Sequence, residues 1–185
     1  MNRDNQAGKA DAGWLAGFFD GEGYIGLWKG RNKKYVTYGP RIKIFNIHRA
    51  TMEHFASQMK LLGLPFFMWA RKPQKATQQL GWYIEIQGHK RVKKFIEVLL
   101  PHVVLKKEQM ELMLEYINYR LSVLPNFRDD RRYGSYDEEV FQKMKELKRI
   151  SESSEAIRPT VHKTEDMVPS AQRCAARQLM LGMIS

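Results

Sequence analysis

Hydrophobic residues recur along this chain with two periods, and the two periods alternate in blocks. From Ala12 to Gly21 the apolar positions run as a helix, Tyr24 to Lys29 then reads as a strand, and GRNKK at Gly30 to Lys34 is a turn with a basic tip. In PRIKIFNI, Ile42 and Ile44 alternate with Arg41, Lys43 and Phe45, the period of a strand with one buried face and one cationic, open face. Met52, Phe55, Met59 and Leu62 return to helical spacing, and Gly63 with Pro65 ends that helix. A second set follows: FFMWARK, a turn near Pro73 to Gln79, and GWYIEIQG, in which Trp82, Ile84 and Ile86 alternate with Tyr83, Glu85 and Gln87. A helix rich in Val92, Phe95, Ile96 and Leu99 runs to Pro101. Another runs from about Lys106 to Leu124, with Met110, Met113, Leu114, Ile117 and Leu121 on one side.

The order αββαββαα predicts an α+β fold: a four-stranded antiparallel sheet with helices on one face and the other face open. After Pro125 comes NFRDDRRYGS, a charged loop, and YDEEVFQKMKELKRI then reads as an accessory helix with Tyr136 to Glu138 at its start. Four parts follow: a loose polar arm over 1–13, one core over 14–124, the loop and accessory helix over 125–150, and a tail over 151–185. The tail is rich in Ser, Glu, Pro and Thr and is expected to be flexible, with a short helix near Ala171 to Leu181.

Charge narrows the class of partner. Thirty-one Lys and Arg against twenty Asp and Glu leave a formal +11, which favours a polyanion. An open sheet face carrying Arg, Lys, Gln and aromatic rings suits the major groove of DNA, which admits a β-ribbon. The single cysteine, Cys174, excludes an intramolecular disulfide framework and a multi-cysteine zinc site. No apolar run has membrane-spanning length and MNRDNQAGKADAG lacks a signal-peptide core, so the protein is expected to work inside a cell or organelle, away from membranes.

The segment WLAGFFDGEGYIG concentrates the candidate chemistry. Gly21, Gly23 and Gly26 spell GxGxxG, but a dinucleotide fingerprint follows a strand and opens a helix, whereas this one does the reverse. A kinase loop is excluded with it, since no HRD or DFG is present. An EF-hand fails because Ile25 and Arg31 stand where its glycine and its final glutamate belong. What remains is a helix with Gly13, Gly17 and Gly21 at four-residue spacing, a stripe that lets another helix approach closely. Asp20 and Glu22 sit at its C-terminal end, where the macrodipole disfavours acids and a bound cation would favour them. Mg²⁺ suits one or two carboxylates plus phosphate oxygens and water. The structural alternative is a capped turn in which Gly23 supplies φ > 0.

Leu15 to Gly23, LAGFFDGEG, closely resembles the signature of the LAGLIDADG homing endonucleases. IFN with the following helix ending LLG, and LPHVVLKKEQ, resemble the single-motif, I-CreI-like branch, so the likeness covers about Trp14 to Leu124 and the accessory helix near Asp137 to Ile150. The resemblance implies the αββαββα fold with a saddle-like sheet. It implies Glu22 as catalytic acid and metal ligand, for Mg²⁺ with Mn²⁺ able to substitute, and Asp20, Gly21 and Gly23 as support at the helix end. With only one motif per chain, it also implies a homodimer through Gly13, Gly17 and Gly21. Asn46 falls where the family orients water, with His48 as the neighbouring register; a strand-end Asn that only starts the next helix is the alternative. Lys106 matches the family's basic residue, with Lys107 as its rival. DNA contacts are expected from Trp28, Arg41, Lys43, Phe45, Arg71, Tyr83, Glu85 and Gln87 on the strands, and from Arg31, Lys33 and Lys34 at the loop tip.

The implied activity is metal-dependent double-strand cleavage, leaving 3′ overhangs, at a long, near-palindromic DNA site. The protein would be the product of an intron-encoded mobile element in a bacterial or phage-infected cytoplasm or an organelle matrix. The alternative is a non-cleaving protein of the same fold, a regulator or a maturase with its own intron RNA as partner.

Overall fold

The computed structural model describes residues 10–31, 36–73, 79–123 and 133–156. The chain divides into two units, 1–152 and 153–185, and of the second only the helical residues 153–156 are described. Lys33, Lys34, the loop after Pro125 and the expected helix near Ala171 lie outside the described residues.

The elements are α1 (Ala12–Glu22), β1 (Gly23–Arg31), β2 (Val36–Asn46), α2 (Arg49–Leu61), β3 (Phe67–Arg71), β4 (Gly81–Gln87), α3 (His89–Leu99), a 3₁₀ turn (Leu100–His102), α4 (Lys107–Val123) and α5 (Ser135–Ala156). The strands form one sheet in the order β1-β2-β4-β3, each neighbouring pair antiparallel. This is the α+β architecture the periodicity predicts. Several boundaries differ: β1 runs on through Gly30 and Arg31, read as turn, β2 begins at Val36 and not at Pro40, a 3₁₀ turn follows Leu99, and α5 continues past Ile150 through Ala156, into the segment expected to be flexible.

Strand alternation decides which face is buried. Ile25, Leu27, Ile42, Ile44, Ile84 and Ile86 share one side and are buried, packing with Leu15 and Phe19 of α1, Phe55 of α2, Phe95 of α3 and Met113 of α4, while Tyr38 on the same side is buried against Phe141 of α5. With ~0.8 kcal/mol per buried CH₂, this face is the main source of stability.

The termini of the helices account for their bounds. Asp11 caps α1 through Oδ1, which accepts from Trp14 N at 2.8 Å. Gly63, at φ 62°, ends α2: its N–H donates to Lys60 O and Leu64 N–H to Met59 O, both at 2.9 Å, which is a Schellman motif. α5 is anchored by Asp137, whose Oδ1 accepts from Tyr116 Oη at 2.9 Å and whose Oδ2 accepts from Gly134 N at 2.7 Å. Arg120 Nη1 lies 3.5 Å from the same carboxylate, so the buried charge is paired. Glu138 binds Lys29 Nζ at 2.6 Å and accepts from the Tyr38 hydroxyl, which holds its carboxyl down at about 2.

Candidate active site and nucleic-acid face

α1 runs into β1 with no intervening loop. Gly23 is both the cap of α1, its N–H donating to Phe19 O, and the first residue of β1. It does not supply a positive φ: it stands at φ −83°, ψ 151°. The glycine is required by space instead, because a Cβ there would strike both the Phe19 ring and the Phe19 carbonyl.

The two acids of the signature have separate environments. Asp20 is 7% exposed. Its Oδ2 accepts from Val104 N at 2.7 Å and Leu105 N at 3.2 Å, and its Oδ1 from Lys106 N at 3.1 Å. These are the orphan donors leading into α4, so Asp20 at the end of α1 satisfies the start of another helix. That removes the puzzle of an acid at a helix C-terminus: the positive end of α4 faces it. Glu22 is exposed, and its carboxylate makes no hydrogen bond or ion pair with another described residue.

Lys106 closes the same junction. Its Nζ donates to the Asp20 carbonyl and lies 5.9 Å from the Phe19 ring centroid, which brings an ammonium to the C-terminal end of α1. Lys107 turns away towards Glu111, 4.0 Å distant. Asn46 ends β2 at the same edge of the sheet, two residues past the Gly23–Ile44 pair. Its Oδ1 accepts from His48 N at 2.8 Å, so this oxygen opens α2, and the Nδ2 amide remains for other work. His48 caps α2, its Nδ1 accepting from Thr51 N at 3.3 Å.

Gly13, Gly17 and Gly21 are exposed, and a Cβ on Gly17 or Gly21 would meet nothing within 4 Å. Among the described residues no three His, Cys, Asp or Glu side chains converge as a metal cluster. With both Asp20 oxygens committed, the carboxylate free for an ion at this junction is that of Glu22. Such a donor set fits Mg²⁺, which completes its shell with phosphate oxygens and water.

The open face of the sheet presents Tyr24 and Trp28 from β1, Arg41, Lys43 and Phe45 from β2, Tyr83, Glu85 and Gln87 from β4, and Phe67, Trp69 and Arg71 from β3. Arg31 ends β1 in the exposed position next to the loop tip. Glu85 departs from expectation. It is only 7% exposed, because Arg41 Nε comes within 2.8 Å and Lys43 Nζ within 3.9 Å of its Oε1. The Arg41 approach is an ion pair without an aligned hydrogen bond, since Oε1 has no hydrogen-bond partner. Glu85 therefore neutralises and positions two cations of the face and is not itself displayed.

Tyr24, Phe67 and Trp69 were not among the residues expected on this face, yet all three are exposed there. Tyr24 carries a readable signal: Tyr24-Ile25-Gly26 and Trp28-Lys29-Gly30 repeat an aromatic-x-Gly pattern, and each ring covers its glycine.

No protein-family model and no curated protein sequence matches the chain. Solved structures do. The homing endonuclease I-CvuI in complex with its target is 22% identical over 94% of this chain and 96% of that one, with a TM-score of 0.50. The LAGLIDADG homing endonuclease I-GzeII in complex with a DNA target is 16% identical over 90% of this chain and 57% of that one, at TM-score 0.53. I-LtrWI, a LAGLIDADG homing endonuclease bound to target DNA, is 16% identical over 80% of this chain and 45% of its own, also at 0.53. The sheet order, the helix-covered face and the direct α1–β1 junction define one class, an α+β protein with a single open sheet face. The likenesses make it specific: the chain has the fold of the LAGLIDADG homing endonucleases.

Proposed function

We propose that this protein is a single-motif LAGLIDADG endonuclease that makes site-specific double-strand breaks in DNA as a homodimer. The observation that carries the reading is the division of labour between two acids two residues apart. Asp20 is consumed by backbone N–H groups, whereas Glu22 stands exposed and unbonded beside an open, cationic sheet face.

In this reading Glu22, with Glu22 of a second copy, would hold Mg²⁺ at the scissile phosphates. The ion, when bound, supplies the Lewis acid that activates water and stabilises the leaving oxygen. The chain's own residues set the geometry. Lys106 keeps a positive charge at the junction and pins the end of α1, so that Glu22 projects from a rigid turn. Asn46 presents its Nδ2 to orient water. The exposed stripe Gly13, Gly17, Gly21 receives the partner's α1, and two copies together read a near-palindromic site. The cations of the sheet contact phosphate, which gives affinity, and base-edge contacts give specificity.

Glu22→Gln tests this. It keeps the side chain's size and removes the charge, so duplex binding is expected to persist while Mg²⁺-dependent cutting is lost. Full nuclease activity in that variant refutes the assignment.

A further inference from the structure

We propose that the open sheet face also holds unpaired bases of a single-stranded polynucleotide, by stacking them on the rings of Tyr24, Trp28, Phe45 and Trp69. The function needs neither Glu22, nor a metal, nor a second copy, and so goes beyond duplex cleavage.

The orientation of the rings carries the inference. A Cβ placed on Gly26 would fall closest to the Tyr24 hydroxyl, then 2.8 Å from Cζ and 3.4 Å from Cε1. That progression belongs to a ring lying face-down along the strand, not edge-on. Trp28 covers Gly30 in the same way, its Cζ3 and Cζ2 at 2.5 and 2.7 Å from the position a Cβ would take, and Phe45 lies across Gly81. Glycine under each ring lets it sit flat on the backbone, and over the outer faces of Tyr24 and Trp28 lie the mobile ends of Lys148, at 5.2 Å, and Arg41, at 5.7 Å, between which and the ring a base can enter. Tyr24, Trp28, Phe45 and Trp69 are 36%, 49%, 38% and 39% exposed. Tyr83 joins the last two into one row: its ring centroid is 4.7 Å from that of Phe45 and 5.6 Å from that of Trp69, whose plane is inclined by only 13°.

Cations interleave with the rings. Arg41 lies 5.7 Å over Trp28, Lys43 stands opposite Tyr24 in the register, and Arg71 reaches the Tyr83 hydroxyl at 3.4 Å. Tyr24 and Trp28 are four residues apart on one strand, about 13 Å. Aromatic platforms alternating with positive charge bind unpaired bases on a polyanionic strand. A duplex can use such rings only for apolar and edge contacts in the groove, because its base faces are buried in the stack.

Tryptophan fluorescence titrations test the proposal, with a short oligouridylate, an oligothymidylate, and an abasic phosphodiester of equal length and charge. The base-bearing strands are expected to quench fluorescence and to bind roughly 5- to 150-fold tighter than the abasic strand for each base stacked. Trp28→Leu, at a half-exposed site, is expected to shrink that gap without changing the circular dichroism. A preference for oligouridylate identifies RNA as the strand held, a preference for oligothymidylate identifies DNA, and parity identifies stacking that does not discriminate the sugar. Equal affinity for the abasic strand, or no binding, overturns the proposal, and this comparison uses only the unmodified protein. A protein that fails to cut duplex DNA yet shows the gap refutes the endonuclease reading and leaves the stacking intact.

Discussion

Asp20→Asn is expected to destabilise the fold by about 2 kcal/mol, whereas Glu22→Gln shifts stability by no more than about 0.5 kcal/mol. The difference follows from what each carboxylate touches. Asp20 accepts three backbone N–H bonds from Val104, Leu105 and Lys106. An asparagine keeps one oxygen for the first two, but turns an NH₂ group against the third and removes the charge that faces the start of α4. A charge-assisted hydrogen bond is worth ~1.5–3 kcal/mol net and the helix-dipole contribution ~0.3–1 kcal/mol. Lys106, whose N–H loses its acceptor, is only partly buried, so water can partly replace the lost oxygen and the cost stays in the lower half of the combined range. For a chain of this length ~2 kcal/mol lowers Tm by about 4–8 °C. Urea denaturation of both variants beside the parent protein at neutral pH measures the contrast. If Asp20→Asn denatures like the parent, or Glu22→Gln loses as much as Asp20→Asn, the division of labour between the acids is wrong.

Three further outcomes are expected. Gly17→Leu puts a side chain into the exposed stripe, where a Cβ meets nothing in the single chain, so the monomer keeps its fold and the dimer is lost; an unchanged dimer mass in sedimentation places the interface elsewhere. Gly23→Ala drives a Cβ into the Phe19 carbonyl and ring and is expected to cost about 1–3 kcal/mol, and a denaturation midpoint equal to the parent's contradicts the steric account. His89 is held below the ordinary imidazole range by burial and then by the charge of Arg120, with Asp137 opposing. The neutral ring's contribution is therefore complete above the unfolded value of about 6.5 and is lost as the pH falls through the depressed folded value. His89→Phe should flatten the decline of stability between neutral and mildly acid pH, and an unaltered pH profile argues against it.

How much could be read beforehand varied with the physics behind each feature. Strands β2 and β4 and helices α2 and α3 were visible because their apolar positions keep a strict period and one face of each is buried. That Asp20 supports the helix end followed only from resemblance, because a carboxylate 84 residues from its hydrogen-bond donor at Val104 leaves no local trace. Likewise Lys106 and Lys107 are equivalent as neighbours in sequence. The backbone alone directs one to the Asp20 carbonyl and the other to Glu111. Glu85 misled because alternation assigns a face correctly but cannot report that Arg41 and Lys43 fold over it. Gly23 invited a positive-φ explanation, when the constraint was the nearby Phe19. The end of α5 was missed since its last turns are made of Ser and Glu with no apolar face to announce them.

The most direct measurement of the central claim is selection of cleaved duplexes from a randomised DNA library, with Mg²⁺ and separately with EDTA, for the parent protein and Glu22→Gln. The expected result is a long, near-palindromic site cut on both strands with 3′ overhangs, only with Mg²⁺ and only by the parent. Tight duplex binding with no cutting in any divalent metal, or equal cutting by Glu22→Gln, contradicts it.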